Sequence, residues 1–223
     1  MTDMLSERLR KITDCIPQCN VLADVGCDHG YIGTTALLEG KAERVVFIDI
    51  SRPSLDKAVQ FCAQMNVSDR CTFVCRDGLG DCVADVAVIA GMGGMETISV
   101  LNGARQLPEV LVLQPMKNVD ELRRYLQSCY FIVSDSMFKD GKFYNLIVAR
   151  RGQDTLSEDE ILFGKTNISN PQQDFLDYLE MEANKYQQIA NSTTNSDVAN
   201  KLRHLRETLN TVKENTQCYK QKC

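Results

Sequence analysis

Short apolar runs recur along the first 115 residues, and most of them are followed by a glycine or an acidic residue. Each run is nearly continuous in apolar residues, which is typical of strands buried on both faces of a sheet. Apolar residues at helical spacing precede or separate them. The alternation predicts an α/β fold with a parallel sheet. The predicted strands are 21–25, 44–49, 71–75, 85–90 and 110–113, and the predicted helices are 4–14, 30–38 and 53–65.

The pattern changes at the end of this region. Two apolar runs, 130–133 and 143–149, flank the dipeptide Asp140-Gly141. Asp-Gly between apolar runs is a strong hairpin signal. We therefore expect the parallel sheet to finish in an antiparallel pair of strands.

Helical periodicity dominates the C-terminal part of the chain. Apolar residues recur three and four apart over 172–190 and again over 197–213, with a polar turn between them. Two such helices joined by a short loop predict an antiparallel helical hairpin. We expect two domains, residues 1–152 and residues 153–223. The helical hairpin is compatible with a packing appendage and with an arm that guides a substrate.

Composition narrows the class of protein. The 223 residues are 43% hydrophobic, enough for a sizeable core, and the formal net charge is −5. An acidic chain argues against general nucleic-acid binding, because phosphate contacts favour basic surfaces, although local basic patches remain compatible with it. The sequence has no apolar run long enough for a membrane span, and its first residues lack the apolar core of a signal peptide.

The ten cysteines do not follow a metal-site pattern. They form no paired CxxC motifs, and the chain has only two histidines, His29 and His204, to complete a ligand set. We therefore expect reduced thiols, no bound metal and a cytoplasmic location.

The turn after the first predicted strand provides the first candidate chemistry. Asp24, Gly26 and Gly30 form an acidic, glycine-containing turn that lets a nucleotide-like ligand approach backbone N–H groups. Asp28 stands where dinucleotide-binding turns have their middle glycine, so the phosphate-binding run G-x-G-x-x-G is absent from this turn. This favours S-adenosyl-L-methionine (SAM), which has no phosphate group.

Polar residues also follow the later strands. Asp49 ends the second strand, where ribose hydroxyls can donate to it, and Asp77 follows the third, where it can accept from an adenine amino group. Gly91 follows the fourth strand and permits close backbone approach. A single acid at a strand end is more often a cap or a solvated turn. The order of all these residues favours a ligand site, because parallel strands bring them to one edge of the sheet.

Three motifs occur together in the first 150 residues: Ala23-Asp24-Val25-Gly26-Cys27-Asp28-His29, Ala90-Gly91-Met92-Gly93-Gly94 and Asp140-Gly141-Lys142. In these motifs the chain resembles the TrmK family, the bacterial tRNA (adenine-N1)-methyltransferases that act on adenine 22 in the D-arm of tRNA. The resemblance implies a Rossmann-like class I SAM methyltransferase sheet, a C-terminal coiled-coil domain and a tRNA substrate. The chain departs from the family at Met116, where Asn is common.

The resemblance also implies a set of cofactor-binding residues at the strand ends. For His29 a packing or capping role is the alternative. The set comprises Asp24, Gly26, His29, Gly30, Asp49, Ile50, Asp77, Gly78 and Gly91.

Methylation at N1 of adenine requires little acid–base assistance from the protein. The ring nitrogen has an in-plane lone pair and needs no prior deprotonation, so positioning should provide most of the catalysis. A carboxylate would stabilise the cationic product, and Asp28 is the catalytic candidate, expected to be buried beside the cofactor. The alternative is that Asp28 only caps the following helix.

Arg8, Lys117 and Arg123 are the candidate tRNA contacts, with an ordinary solvated surface as the alternative. We expect a monomer and no membrane partner. Two other functions stay open at this point. One is a SAM-dependent methyltransferase for a small molecule, and the other is a non-catalytic module that binds SAM or a nucleotide.

Overall fold

A computed structural model describes residues 5–220, with side chains described up to residue 214. In that range the strands are β1 (Cys19–Val25), β2 (Ala42–Asp49), β3 (Cys71–Cys75), β4 (Val86–Ala90), β5 (Val110–Gln114), β6 (Tyr130–Asp140) and β7 (Lys142–Arg151). They form one sheet in the order β3-β2-β1-β4-β5-β7-β6. Strands β1 to β5 pair in parallel, and β7 pairs antiparallel with β5. The predicted sheet is confirmed.

Helices follow the sheet strands and then dominate the C-terminal part. Serine side chains cap several of them, since the Ser6, Ser51 and Ser157 hydroxyls accept from backbone N–H groups three residues later. No helix in residues 5–220 combines the length and the apolar character needed to cross a membrane. The helices are α1 (Glu7–Asp14), α2 (Tyr31–Leu38), α3 (Arg52–Gln64), α4 (Gly94–Asn102), α5 (Val119–Leu126), α6 (Glu158–Phe163), α7 (Lys165–Ser169), α8 (Gln173–Ala190) and α9 (Ser196–Lys220).

The predicted helices differ from the observed ones mainly in their bounds. Helix α1 starts at Glu7 and not at residue 4, which lies outside the described residues. Helix α9 extends beyond the predicted end at residue 213. Helices α4, α5, α6 and α7 were not predicted. Each has nine residues or fewer, and such short helices show only a weak apolar period.

The central strands are buried, as their apolar runs predict. Every residue of β5 is buried, and so are the last four residues of β1. Such burial on both faces explains the lack of polar alternation in these runs. It also makes the scaffold beneath the strand ends rigid.

The chain divides into two compact units, with bounds that differ from the predicted domains. The first unit runs to Ser134 and resumes over Tyr144–Thr155, and the second comprises Asp135–Phe143 and the chain from Leu156 onward. The tip of the β6–β7 hairpin therefore belongs to the second unit, and the single boundary predicted after residue 152 is wrong. The reason is that Met137, on this tip, packs in the apolar core formed with α8 and α9.

Helices α8 and α9 pair in the second unit as a helical hairpin. Arg206 donates to Gln187, and Lys213 forms an ion pair with Glu180. Because the residue numbers rise on one helix as they fall on the other, the helices are antiparallel. Phe175, Leu179, Leu205 and Val212 are at most 1% exposed between them.

Candidate functional site

The candidate site lies at the carboxyl ends of the parallel strands. A cleft of about 630 Å³ opens there and is lined by Gly26, Asp49, Asp77 and Gly91, among others. β1 and β4 are neighbours in the sheet, and the strand order reverses between them. Ligands of open α/β sheets bind at such a switch point.

Gly26 lies where two loops meet. Its N–H donates to the Ile48 carbonyl at 2.8 Å, and its φ of 72° suits glycine. A Cβ at this position would collide with the Met92 side chain. The glycine therefore lets the turn after β1 pack closely against the loop after β4.

Asp24 is a buried acid below this turn. It is 3% exposed, and its Oδ2 accepts from the Gly33 N–H at 2.9 Å. Burial raises its pKa to about 7, because desolvation outweighs the stabilising hydrogen bond. Asp24 is thus poised to change charge near neutral pH. The sequence did not identify Gly33 as a partner of Asp24, because the two residues are nine positions apart and lie on different elements.

Asp49 is held by two backbone groups. Its Oδ2 accepts from the Asp28 N–H at 3.0 Å and its Oδ1 from the Ser51 N–H at 2.8 Å. Each carboxylate oxygen has a second lone pair, so the fixed group can still accept from a hydroxyl. Next to it, the Ile50 residue is 71% exposed and presents an apolar surface on the cleft wall.

Asp28 has an exposed side chain, which corrects the expectation of a buried carboxylate. The side chain is 59% exposed, with Oδ1 3.4 Å from Lys57 Nζ and Oδ2 3.7 Å from His29 Nε2. The capping alternative is also wrong, because α2 has Gly30 as its N-cap and no side-chain cap bond. The backbone φ of Asp28 is 43°, a region that Asp tolerates better than most residues.

His29 packs locally while it lines a cleft. Its ring stacks on Tyr31 with a centroid separation of 5.2 Å and an interplanar angle of 2°. Tyr31 in turn meets the edge of Phe61. The packing role is therefore observed, and the position at the cleft remains compatible with ligand contact.

Asp77 is exposed and lines the first cleft. The adjacent turn is fixed by Arg76, whose Nε donates to the Gly78 carbonyl at 3.2 Å and whose guanidinium pairs with Asp81. Gly78 adopts a φ of 70° in this turn. The turn thereby places Asp77 among the residues that line the cleft.

The loops after β4 and β5 are joined by backbone hydrogen bonds. They run from Gly91 N to Gln114 O (3.1 Å), from Met116 N to Met92 O (2.7 Å) and from Gly94 N to Lys117 O (2.8 Å). A Cβ at Gly94 would collide with the Asn118 carbonyl oxygen. The glycine-rich motif is therefore needed for contact between the loops, in addition to its place at the cleft.

Arg8 lines a second cleft of about 410 Å³, which shares Gly26 and Gly91 with the first. Its Nε donates to Gln114 Oε1 at 2.6 Å, and its guanidinium lies 5.4 Å from the centre of the Tyr144 ring. Arg8 is thus part of a cleft wall rather than of an open basic surface. The sequence did not show that α1 would bring it there.

Arg123 does not lie at a surface, which corrects its assignment as a tRNA contact. The residue is 1% exposed, and its Nη2 donates to Asn145 Oδ1 at 3.0 Å. Lys117 remains at the rim of the first cleft, 3.0 Å from Glu96.

These positions suit a nucleoside-like ligand with a polar tail. The carboxylates of Asp49, which is held by two N–H groups, and of Asp77 belong to residues that line the first cleft, and an arginine and a buried acid line the second. No group of three or more potential metal ligands is found among the described residues.

Known proteins are similar to this chain over most of its length. A methyltransferase-domain family matches residues 5–147. The tRNA (adenine(22)-N(1))-methyltransferase of Bacillus subtilis is 26% identical over 230 residues, with 94% of this chain and 96% of that protein covered.

Solved structures extend the similarity to the C-terminal helices. A putative tRNA (m1A22) methyltransferase of Streptococcus pneumoniae, in complex with SAM, has a TM-score of 0.85 and 26% identity, covering 92% of this chain and all of that one. The B. subtilis TrmK structure has a TM-score of 0.75 and 26% identity over 94% of this chain and 97% of its own. The chain therefore belongs to the methyltransferase-domain family, and it is similar over most of its length to TrmK enzymes of that fold.

Proposed function

We propose that this protein transfers the methyl group of SAM to N1 of adenine 22 in tRNA. The observation that supports this most is the first cleft, which Asp49 and Asp77 line together with Gly26 and Gly91. The TrmK relatives support the choice of a tRNA adenine as the acceptor.

The residues present fit the nucleoside half of SAM. Asp49, oriented by two N–H groups, suits ribose hydroxyls, and Asp77 suits the adenine amino group. Ile50 offers an apolar face to a purine. When bound, SAM supplies an electrophilic methyl group on a sulfonium.

The chain's own contribution is mainly positioning. A neutral ring nitrogen needs no general base, so the protein must orient the base and exclude water. The three hydrogen bonds between the loops after β4 and β5 keep the Gly91–Met92 backbone in place beside the cleft. Rigid walls of this kind preserve the attack geometry.

Asp28 is our candidate for stabilising the positive charge on the methylated base. Its carboxylate lies at the second cleft, exposed and oriented by Lys57. A negative group aimed at developing positive charge lowers the barrier without transferring a proton. We keep Lys117 as the candidate phosphate contact at the rim of the first cleft, and we expect a monomer.

The test is methyl transfer from radiolabelled SAM to bulk tRNA, followed by nucleoside analysis. We expect 1-methyladenosine as the product and no transfer without RNA. Labelling of compounds in an RNA-free metabolite fraction would instead favour the small-molecule methyltransferase. SAM binding with no product on any tRNA would favour the non-catalytic module.

A further inference from the structure

An ion pair lies at the rim of the first cleft, between the first turn of α4 and the loop after β5. Lys117 Nζ is 3.0 Å from Glu96 Oε1, and both residues line the cleft. The Lys117 and Glu96 side chains are 65% and 52% exposed, so a large ligand that covers the cleft can reach both of them. The pair therefore lies where an RNA would approach if one of its bases is to reach the cleft.

The backbone places the two side chains next to each other. The Gly94 N–H donates to the Lys117 carbonyl at 2.8 Å, which joins the start of α4 to the loop after β5. Gly93 has an ordinary φ of −77°, yet a Cβ there would collide with the Glu96 carboxylate and with Cε of Lys117. Glycine is thus needed at this position for the space that it leaves, and the paired side chains occupy that space.

Glu96 is ionised in this setting. It lies in the first turn of α4, where the helix dipole favours a negative charge. A hydrogen bond from its own backbone N–H, and then the contact with Lys117, lowers the pKa of its carboxyl group. Glu96 therefore carries a full negative charge at neutral pH and competes with any other anion for the Lys117 ammonium group.

An ion pair as exposed as this one is weak. Water screens the two charges, and two flexible side chains must be held in one geometry. A phosphate group of a folded RNA lies among many other phosphates, so it attracts a cation more strongly than a single carboxylate does. Lys117 can therefore exchange Glu96 for an RNA phosphate through rotations of its side chain alone.

We propose that Glu96 holds Lys117 at the cleft rim in the free protein and that a tRNA phosphate takes the place of Glu96 when RNA binds. This inference rests on the proposed tRNA substrate and assigns Glu96 to it as a specificity-determining residue. An RNA that uses Lys117 must first displace Glu96, and the released carboxylate then repels the phosphate backbone. Glu96 thereby weakens the binding of RNAs that make few other contacts with the protein.

The experiment is a double-mutant cycle on tRNA binding, measured by filter binding of bulk tRNA at low salt without SAM. Glu96→Gln should raise the affinity about 2- to 5-fold, because the RNA no longer has to break an exposed ion pair. In the Lys117→Gln background the same change removes only the repulsion between Glu96 and phosphate. The gain there should be smaller by a factor of at least about 1.5, and this difference measures the competition for Lys117.

Asp56→Asn is the matched control. The Asp56 side chain is 53% exposed and pairs with Arg52 at 3.0 Å on α3, outside the residues that line the two clefts. This variant removes the same charge and should change the affinity by less than about 1.5-fold. Thermal unfolding checks that each variant folds.

Equal gains from Glu96→Gln in the two backgrounds would reduce the role of Glu96 to repulsion and overturn the proposal, and so would the absence of any gain. If the natural protein binds no tRNA, the proposed substrate fails and this inference fails with it. Binding of tRNA with equal gains would reject the exchange at Lys117 alone and leave the proposed function standing.

Discussion

At the scale of single residues, Asp24 decides how the site responds to pH. Burial in the sheet edge raises its pKa to about 7, and the nearby Asp49 charge acts in the same direction. The Gly33 N–H opposes this shift only in part. The carboxyl group is therefore neutral in acid and ionised above about pH 7.

This predicts that SAM binding strengthens as the pH rises from about 5.5 to 7.5. We expect Asp24 to face the ammonium group of SAM. Below pH 7 Asp24 must then lose a proton before it can pair with this group, which costs up to about tenfold in affinity per pH unit. Calorimetry across this range should show the rise, followed by a plateau. Asp24→Asn should bind SAM weakly with a flat profile, and a sloping profile in that variant would contradict the assignment.

Asp28 is predicted to affect turnover rather than cofactor binding. Asp28→Asn keeps a residue type that tolerates the φ of 43° but removes the charge. We expect kcat for tRNA methylation to fall about 10- to 100-fold, with the SAM affinity nearly unchanged. Lys57→Met, which removes the ion-pair partner and keeps the carboxylate, is the control. Full turnover by Asp28→Asn would end its catalytic role.

Single residues also show where sequence reasoning stops. The identity of Asp28 and its place in the turn were readable, but its pairing with Lys57, which lies 29 residues away, was not. Arg123 looked like any other basic residue on a helix, whereas in the structure it is buried and donates to Asn145 on β7. Local pattern contains no information on such long-range contacts.

At the scale of elements, the joined loops after β4 and β5 are the part most sensitive to substitution. Gly94→Ala would drive a Cβ into the Asn118 carbonyl, and backbone cannot yield as a flexible side chain can. We expect a loss of roughly 1–3 kcal/mol in the free energy of unfolding, and weaker SAM binding because the cleft wall shifts.

Gly103→Ala, at the C-cap of the same helix, is the matched control. Gly103 has a φ of −79°, and the nearest atom to an added Cβ is 3.4 Å away. Gly103→Ala should change the free energy of unfolding by no more than about 0.5 kcal/mol. Chemical denaturation compares the two variants, and equal losses would show that the close approach at Gly94 is unimportant.

The strands were more predictable than the short helices. Continuous apolar runs located β1 to β5, because full burial leaves a strong signal in sequence. Helix α6 begins with a capping box, Ser157 with Glu160, which is a helix-start signal that can be read from the sequence. The bonds that protect the β6 edge, such as Met137 N to Asn167 Oδ1 at 2.9 Å, join distant segments and could not be predicted locally.

At the scale of the whole molecule, cations at the strand ends are paired with acids. Lys117 pairs with Glu96, Lys57 with Asp28 and Arg76 with Asp81. In a chain of net charge −5, such pairing limits general attraction for RNA.

The division into two units was predictable from the change in hydrophobic periodicity. The sequence did not predict that the tip of the β6–β7 hairpin belongs to the second unit.

This charge pattern predicts a small, specific salt effect for Lys117. Lys117→Gln should weaken tRNA binding. Because one phosphate contact is lost, the slope of log affinity against log salt concentration should become shallower by about one. Arg44→Gln is the control, because Arg44 is exposed near the amino end of β2, away from the cleft. Filter binding over a range of salt concentrations measures both, and identical slopes for Lys117→Gln and the natural protein would remove Lys117 from the interface.

The most direct test of the central claim is the position of methyl transfer on a defined tRNA. Two transcripts that differ only by adenosine or guanosine at position 22 are incubated with the protein and radiolabelled SAM. The account predicts one 1-methyladenosine per adenosine-22 transcript and no label in the guanosine-22 transcript. Equal labelling of both transcripts, or no labelling of either, would contradict it.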